Sequence, residues 1–233
     1  MRLGIVIPAA NTTLESELPG SGLDDASWHF QRFGQLIRGR DDLEAGTASI
    51  VESSGALTAA RVRAIGVGYT AGSYTGGPEW DASLRAAVAA RTGGPAHTAA
   101  SAIVGALARL LVRTVAVVSP YSREVNRRAA DYLTASGFVV TAMVGEAPLG
   151  PAGDVTPEEI EATVRALDVT GADAVLISCT GLRTFNLIDP LELAIGLPVV
   201  SSNLALLWAM TAEVALQVTG PGSLLRHQPP GSS

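Results

Sequence analysis

The stretch Ala174-Val175-Leu176-Ile177-Ser178-Cys179-Thr180-Gly181 decides how this chain is read. Four apolar residues in a row, stopped by a Thr-Gly turn, are the pattern of a strand covered on both faces of a parallel sheet. Cys179, the one cysteine present, then falls at the strand's C-terminal end, where open α/β sheets bind ligands. The same shape occurs earlier, in Ala64-Ile65-Gly66-Val67-Gly68-Tyr69-Thr70-Ala71-Gly72, with Tyr69 in the slot that holds the thiol later on. Two more pairs echo in the same order. Leu3-Gly4-Ile5-Val6-Ile7-Pro8 matches Val115-Ala116-Val117-Val118-Ser119-Pro120, and Pro95-Ala96-His97-Thr98 matches Pro198-Val199-Val200-Ser201. Three echoes, each about half a chain apart, imply an internal duplication.

Around these strands, short β-branched runs alternate with Ala/Leu/Arg-rich helical stretches, the signature of βαβ units. Strands are predicted near 2–8, 28–36, 64–69, 95–97, 114–119, 138–144, 173–178 and 198–200. Helices are predicted near 11–18, 42–62, 79–92, 99–112, 122–136, 156–170 and 202–219. Thr156-Pro157-Glu158-Glu159 combines a capping hydroxyl, a first-turn proline and acids at the positive end of the dipole. The expected fold is α/β, with two pseudo-symmetric Rossmann-like lobes, parallel sheets and an active-site cleft between them. Residues 1–112 are expected to form the first lobe, completed by the C-terminal helix over about 204–220. Residues 113–203 form the second, and a disordered tail covers 224–233. Tyr69 and Cys179 then face each other across the cleft.

Composition narrows the function classes. The chain has 233 residues, 47% of them hydrophobic and 16% charged, ample for a packed core. A net charge of −6 with no basic stripe disfavours nucleic acid and acidic membrane surfaces. A single cysteine fits a reducing compartment. No apolar stretch approaches the roughly 20 residues of a membrane span, and the chain enters a strand at once, without a signal-peptide pattern. A soluble cytoplasmic protein is expected, as a possible homo-oligomer. Gly66, Gly68 and Gly72 lack dinucleotide-binding spacing, and no helix is expected to open on them. Three histidines without a carboxylate cluster give no metal pattern.

Several stretches together resemble the aspartate/glutamate racemase superfamily, in the branch holding maleate cis-trans isomerase and arylmalonate decarboxylase. They are Pro8-Ala9-Ala10-Asn11-Thr12-Thr13-Leu14-Glu15, Tyr69-Thr70-Ala71-Gly72-Ser73, Ser119-Pro120-Tyr121, Ser178-Cys179-Thr180-Gly181 and Pro198-Val199-Val200-Ser201-Ser202-Asn203. The resemblance implies a site between the lobes, no cofactor and no metal. Racemases and maleate isomerases of this superfamily use two cysteines, one per lobe. The decarboxylases keep only the second, which protonates a carbanion-like intermediate. Tyr69 in the first slot and Cys179 in the second resemble the decarboxylase arrangement.

That arrangement implies a cofactor-independent lyase acting on a substituted malonate or related small carboxylic acid. Loss of CO2 leaves an enediolate, whose charge needs fixed donors. The resemblance assigns that task to Thr70, Tyr121 and nearby backbone N–H groups, and the proton to Cys179. Pro8, Asn11, Tyr69, Ala71, Thr180 and Gly181 are expected to contact the substrate, Asn11 through its amide. Thr180 is expected to help hold the thiolate left behind. The chain departs from the decarboxylases at Ala71, where they carry a second hydroxyl, and at Thr180, where they carry glycine. Ser73 is a candidate replacement donor, Tyr69 a candidate extra acid, and Met143, Leu149 and Leu36 candidates for the apolar pocket of the departing carboxylate. A maleate-type isomerase and a small-acid binding module without turnover stand as alternatives. Each residue also has a plainer reading. Cys179 can be a buried small hydrophobe, Asn11 and Asn203 helix caps, Tyr69 a packing residue and Thr70 a turn residue. Arg183, after the thiol turn, is a candidate bidentate ligand for a substrate carboxylate with a surface role as the alternative, and His97 lies at a strand end facing the expected cleft.

Overall fold

The computed structural model describes residues 1–23, 25–145 and 152–226. In chain order the elements are β1 (Arg2–Pro8), α1 (Thr13–Glu17), β2 (Ser27–Phe33), α2 (Leu43–Gly55), β3 (Ile65–Val67), α3 (Thr70–Gly76), α4 (Pro78–Thr92), β4 (Ala96–Thr98) and α5 (Ala99–Arg109). There follow β5 (Thr114–Val118), α6 (Arg123–Ala135), β6 (Val139–Val144), α7 (Pro157–Arg165), β7 (Ala174–Ile177), α8 (Ile188–Ile195), β8 (Val199–Ser201), α9 (Ser202–Glu213) and α10 (Gly222–Arg226). The strands form two four-stranded sheets, ordered β2-β1-β3-β4 and β6-β5-β7-β8. Every pairing is parallel. The two orders are the same, and the three sequence echoes occupy equivalent strands, β1 with β5, β3 with β7 and β4 with β8.

The apolar runs become the innermost strands because both faces are covered. Ala174, Val175, Leu176 and Ile177 of β7 are fully buried, as are Val115 to Val118 of β5. α9 packs against α5, β3, β4 and β8, so it touches both sheets. Its approach to β3 explains Gly66. A Cβ there would stand 2.6 Å from the Met210 sulfur and 3.1 Å from Leu206. Among the described residues, no helix is long and apolar enough to cross a membrane.

Several local expectations change. α9, expected to run to about 219, ends at Glu213. α3 opens directly after β3, where a turn was expected and where the Gly66-Gly68-Gly72 run was read as opening no helix. α2 ends at Gly55 and passes into a 3-10 turn over Ala56–Ala60 instead of continuing to 62. α8 was not anticipated, because Pro190 interrupts the run; it sits in the helix's first turn, where proline is tolerated. The segment expected to start a disordered tail at 224 is instead part of α10, with Leu224 and Leu225 buried. Glu192 accepts bonds from the Ser223 amide and hydroxyl, and Asp189 accepts from the Gly222 amide. Residues 227–233 of the expected tail lie outside the described residues.

Candidate active site

The central strands of both sheets point their C-terminal ends at one cavity of about 300 Å³. β1 delivers Pro8 and, just beyond, Asn11. β3 delivers Tyr69, Thr70 and Ala71, β5 delivers Tyr121, and β7 delivers Cys179, Thr180 and Gly181. These nine residues, expected to act on or contact the substrate, all line this cavity. It is also lined by Ala10, Thr12, Thr13, Ala152 and Gly153. Ala152 and Gly153 come from a loop whose sequence carries no motif. No lining residue among those described is cationic, so an anionic ligand would meet hydroxyls and amides.

Cys179 is 8% exposed. Its amide donates to Ser202 Oγ at 3.0 Å, and its sulfur accepts from the Gly181 amide at 3.4 Å. The loop must curl tightly for the second contact, and glycine suits it. A Cβ on Gly181 would lie 3.0 Å from the Ala152 Cβ and 3.6 Å from the sulfur. Burial pushes the thiol above its ordinary titration range, while the Gly181 N–H and the Tyr121 hydroxyl pull it back. Burial wins, so the sulfur carries its proton at neutral pH and is equipped to donate it.

Tyr121 is held by a small network behind it. Asn126 donates from Nδ2 to the Tyr121 carbonyl at 3.1 Å, and Ser119 Oγ donates to Asn126 Oδ1. The Tyr121 amide in turn donates to Ser119 Oγ at 3.3 Å. The phenol interacts with both the Cys179 thiol and the Thr70 hydroxyl, and burial keeps it protonated. Thr70 begins α3 and directs its hydroxyl to Ser202 Oγ at 3.4 Å, the atom that also holds the Cys179 amide. Thiol, phenol and threonine hydroxyl thus form one contiguous set. Ser202 and Asn126 support it. Ser202 lies in the Pro198–Asn203 motif, and nothing in the sequence marks its hydroxyl for this task.

Several expectations change in detail. Asn11 Oδ1 accepts from the Thr13 and Leu14 amides at 3.0 and 3.2 Å, and Nδ2 donates to Thr180 Oγ1 at 3.0 Å. It therefore caps α1 and bridges the lobes, with one amide N–H beyond those bonds. Thr180 donates to the Gly68 carbonyl at 2.9 Å, so its hydroxyl serves the lobe contact and not the thiol. The Tyr69 hydroxyl donates to the Ile37 carbonyl at 2.9 Å and accepts from the Ile37 amide at 3.1 Å. Its ring packs edge-on against Phe33, centroids 5.4 Å apart. The phenol considered as an extra acid is thereby tied to backbone away from the thiol. Ser73 is buried and bonds Asp81, which removes it as a replacement donor.

The remaining candidates sit elsewhere. Arg183 is exposed beside a second cavity. His97 pairs with Glu213 at 3.2 Å. Asn203 donates to the Leu182 carbonyl at 3.0 Å and to Glu17 at 2.6 Å. Glu17, missed from the sequence, reaches from α1 to accept from the Thr184 and Phe185 amides, a second bridge between lobes. Met143 packs near Tyr74 and Leu36 in the first lobe's core, neither at the cavity, and Leu149 lies outside the described residues. The cavity's apolar surface comes from Ala10, Tyr69, Ala71 and Ala152 instead. Among the described residues, no group of three or more His, Cys, Asp or Glu is placed to hold a metal ion.

A two-lobed α/β enzyme fold with a lone thiol at the lobe junction defines the class. The chain belongs to the arylmalonate decarboxylase family, whose model matches residues 3–225. It is 29% identical to a maleate isomerase of Nocardia farcinica, with 97% of this chain and 96% of that protein covered. It is also 29% identical to an arylmalonate decarboxylase of Bordetella bronchiseptica, covering 95% of this chain and 88% of that protein. Among solved structures, a mutant Nocardia farcinica maleate cis-trans isomerase with a covalently bound succinylcysteine intermediate superposes with a TM-score of 0.87. That structure is 27% identical and is covered to 99%, against 98% of this chain. The relatives are enzymes of two reaction types, a lyase and isomerases.

Proposed function

We propose that this protein is a cofactor-independent decarboxylase of a substituted malonate or a related small carboxylic acid. The observation that carries the reading is the lone Cys179 thiol, kept protonated by burial and placed beside the Tyr121 and Thr70 hydroxyls. In the proposed step the bond from the α-carbon to one carboxylate breaks and CO2 leaves. The bonding electrons pass into the remaining carboxylate, giving an enediolate. Tyr121, Thr70 and backbone N–H groups at the start of α3 donate to its oxygens as charge develops there. The Cys179 S–H bond then breaks, and its proton goes to the α-carbon. The resulting thiolate is held by the Gly181 amide and the Tyr121 phenol until solvent returns a proton. The departing carboxylate would lie against Ala10, Ala71 and Ala152, where the lack of polar partners disfavours a charged group.

A maleate-type isomerisation is the second reading, favoured by the identity to maleate isomerases. The isomerase carrying succinylcysteine is itself a cysteine-to-serine mutant, so that enzyme has at least two cysteines. This chain has one, which supports decarboxylation. The experiment is incubation of purified protein with maleate and with a panel of substituted malonates. Decarboxylation releases CO2 and yields a monoacid. Isomerisation converts maleate to fumarate without gas. Saturable binding of these acids without turnover of any would instead support a binding module.

A further inference from the structure

The mechanism gives the buried Tyr74 no task. Tyr74 lies in α3, one turn after Thr70, so the two side chains share a face of that helix. Its hydroxyl and Ser178 Oγ are 2.9 Å apart, a buried bond between the lobes to the residue immediately before the thiol. Its ring meets Tyr121 edge-on, centroids 6.3 Å apart, and Tyr132 at 5.4 Å. Thr70 meanwhile reaches Ser202, which holds the Cys179 amide. One helix of the first lobe therefore reaches the thiol segment twice, directly at Ser178 and through Ser202 at the Cys179 amide, and also backs the ring of Tyr121.

We infer that Tyr74 is a positioning residue, setting the thiol of Cys179 and the ring of Tyr121 relative to α3 through its bond to Ser178 and its edge contact. The inference rests on the reading of Cys179 as the proton donor. Ser178 is fully buried, and a buried hydroxyl that loses its partner must rotate or shift to find another. Cys179 follows on the same short turn, so a shift of Ser178 is passed to the sulfur. Cys179 contributes 8% exposure, and small displacements therefore change access to it. Proton transfer from a positioned group is likewise sensitive to misplacement on the ångström scale.

The test uses the full chain and reads the thiol without any substrate. The single cysteine makes alkylation by chloroacetamide, followed by intact-mass measurement, report one site. Tyr74→Phe keeps the ring and removes the bond, and Ser178→Ala removes it from the other side. Each variant should change the alkylation rate at fixed pH by about three-fold or more, toward faster reaction, and by a similar factor. The double variant should match the singles, because the bond can be lost only once. On whichever acid the protein turns over, Tyr74→Phe should lower kcat with KM unchanged, a split that loss of folded protein alone would not give. Wild-type alkylation rates in both single variants, or effects that add in the double variant, would overturn the inference. Should no acid be turned over, the functional reading fails, while the alkylation rates still decide the role of Tyr74.

Discussion

Replacing Tyr121 with phenylalanine separates the site's electrostatics from its packing. The ring remains, with its edge contact to Tyr74, and the backbone clamp through Asn126 and Ser119 is untouched. Only the phenol that faces Cys179 and Thr70 is lost. If it donates to the enediolate, its removal should cost about 2.7–4 kcal/mol of transition-state stabilisation, or about 10²–10³ in kcat. A second effect has a defined sign. The phenol lowers the thiol's titration point by favouring the thiolate, so its loss should push that point further up. A rate that needs the protonated thiol falls as pH rises through this titration, and the alkaline limb of the variant should lie at higher pH than that of the wild type. Initial rates of CO2 release over an alkaline series, with alkylation rate against pH as a substrate-free check, measure both effects. Thermal stability should hold within about 2 °C, since one hydroxyl is removed without a cavity. A kcat within two-fold of wild type, with an unmoved alkaline limb, would refute the assignment.

Other expectations concern the frame around the thiol. Asn11→Ala removes two capping bonds to α1 and the bridge to Thr180. Together these should cost about 2 kcal/mol, a fall in Tm of roughly 4–8 °C by calorimetry; a change under about 1 °C would contradict the bridging role. Asp81 is buried beside Thr98, and desolvation raises its pKa against the pull of Ser73, Thr98 and Arg85. Its contribution to stability is then fullest below the ordinary carboxylate pKa and is lost as pH rises through the raised value. In urea titrations, Asp81→Asn should gain stability relative to wild type as pH rises through that window; a relative loss would reverse the sign.

The fold was legible because its innermost strands are unbroken apolar runs. β5 and β7 are covered on both faces, and such strands need no alternation to be seen. The duplicated order was legible for the same reason, since the echoes fall on buried strands. α3 was not legible. Thr70-Ala71-Gly72-Ser73-Tyr74-Thr75-Gly76 has poor intrinsic helix propensity, and its packing against α4, α5 and α6 supplies what the local sequence lacks. The site residues were placed because strand ends and their turns are local features. Their partners were not, because the bonds span the chain. Tyr69 reaches back to Ile37, Asn11 crosses to Thr180, and Tyr74 crosses to Ser178. No spacing rule links such pairs, and a hydroxyl's direction is fixed only once the lobes are packed. Glu17 shows the same limit, a helix-face acid in sequence that becomes a lobe bridge in the fold.

The most direct measurement follows the α-proton itself. Purified protein and its Cys179→Ala variant, each given the malonate panel in D2O, are read by NMR for monoacid product and for deuterium at the α-carbon. The account predicts CO2 release with one deuterium delivered by the wild type and loss of turnover in the variant. Undiminished turnover in the variant, with the same deuterium incorporation, would contradict it.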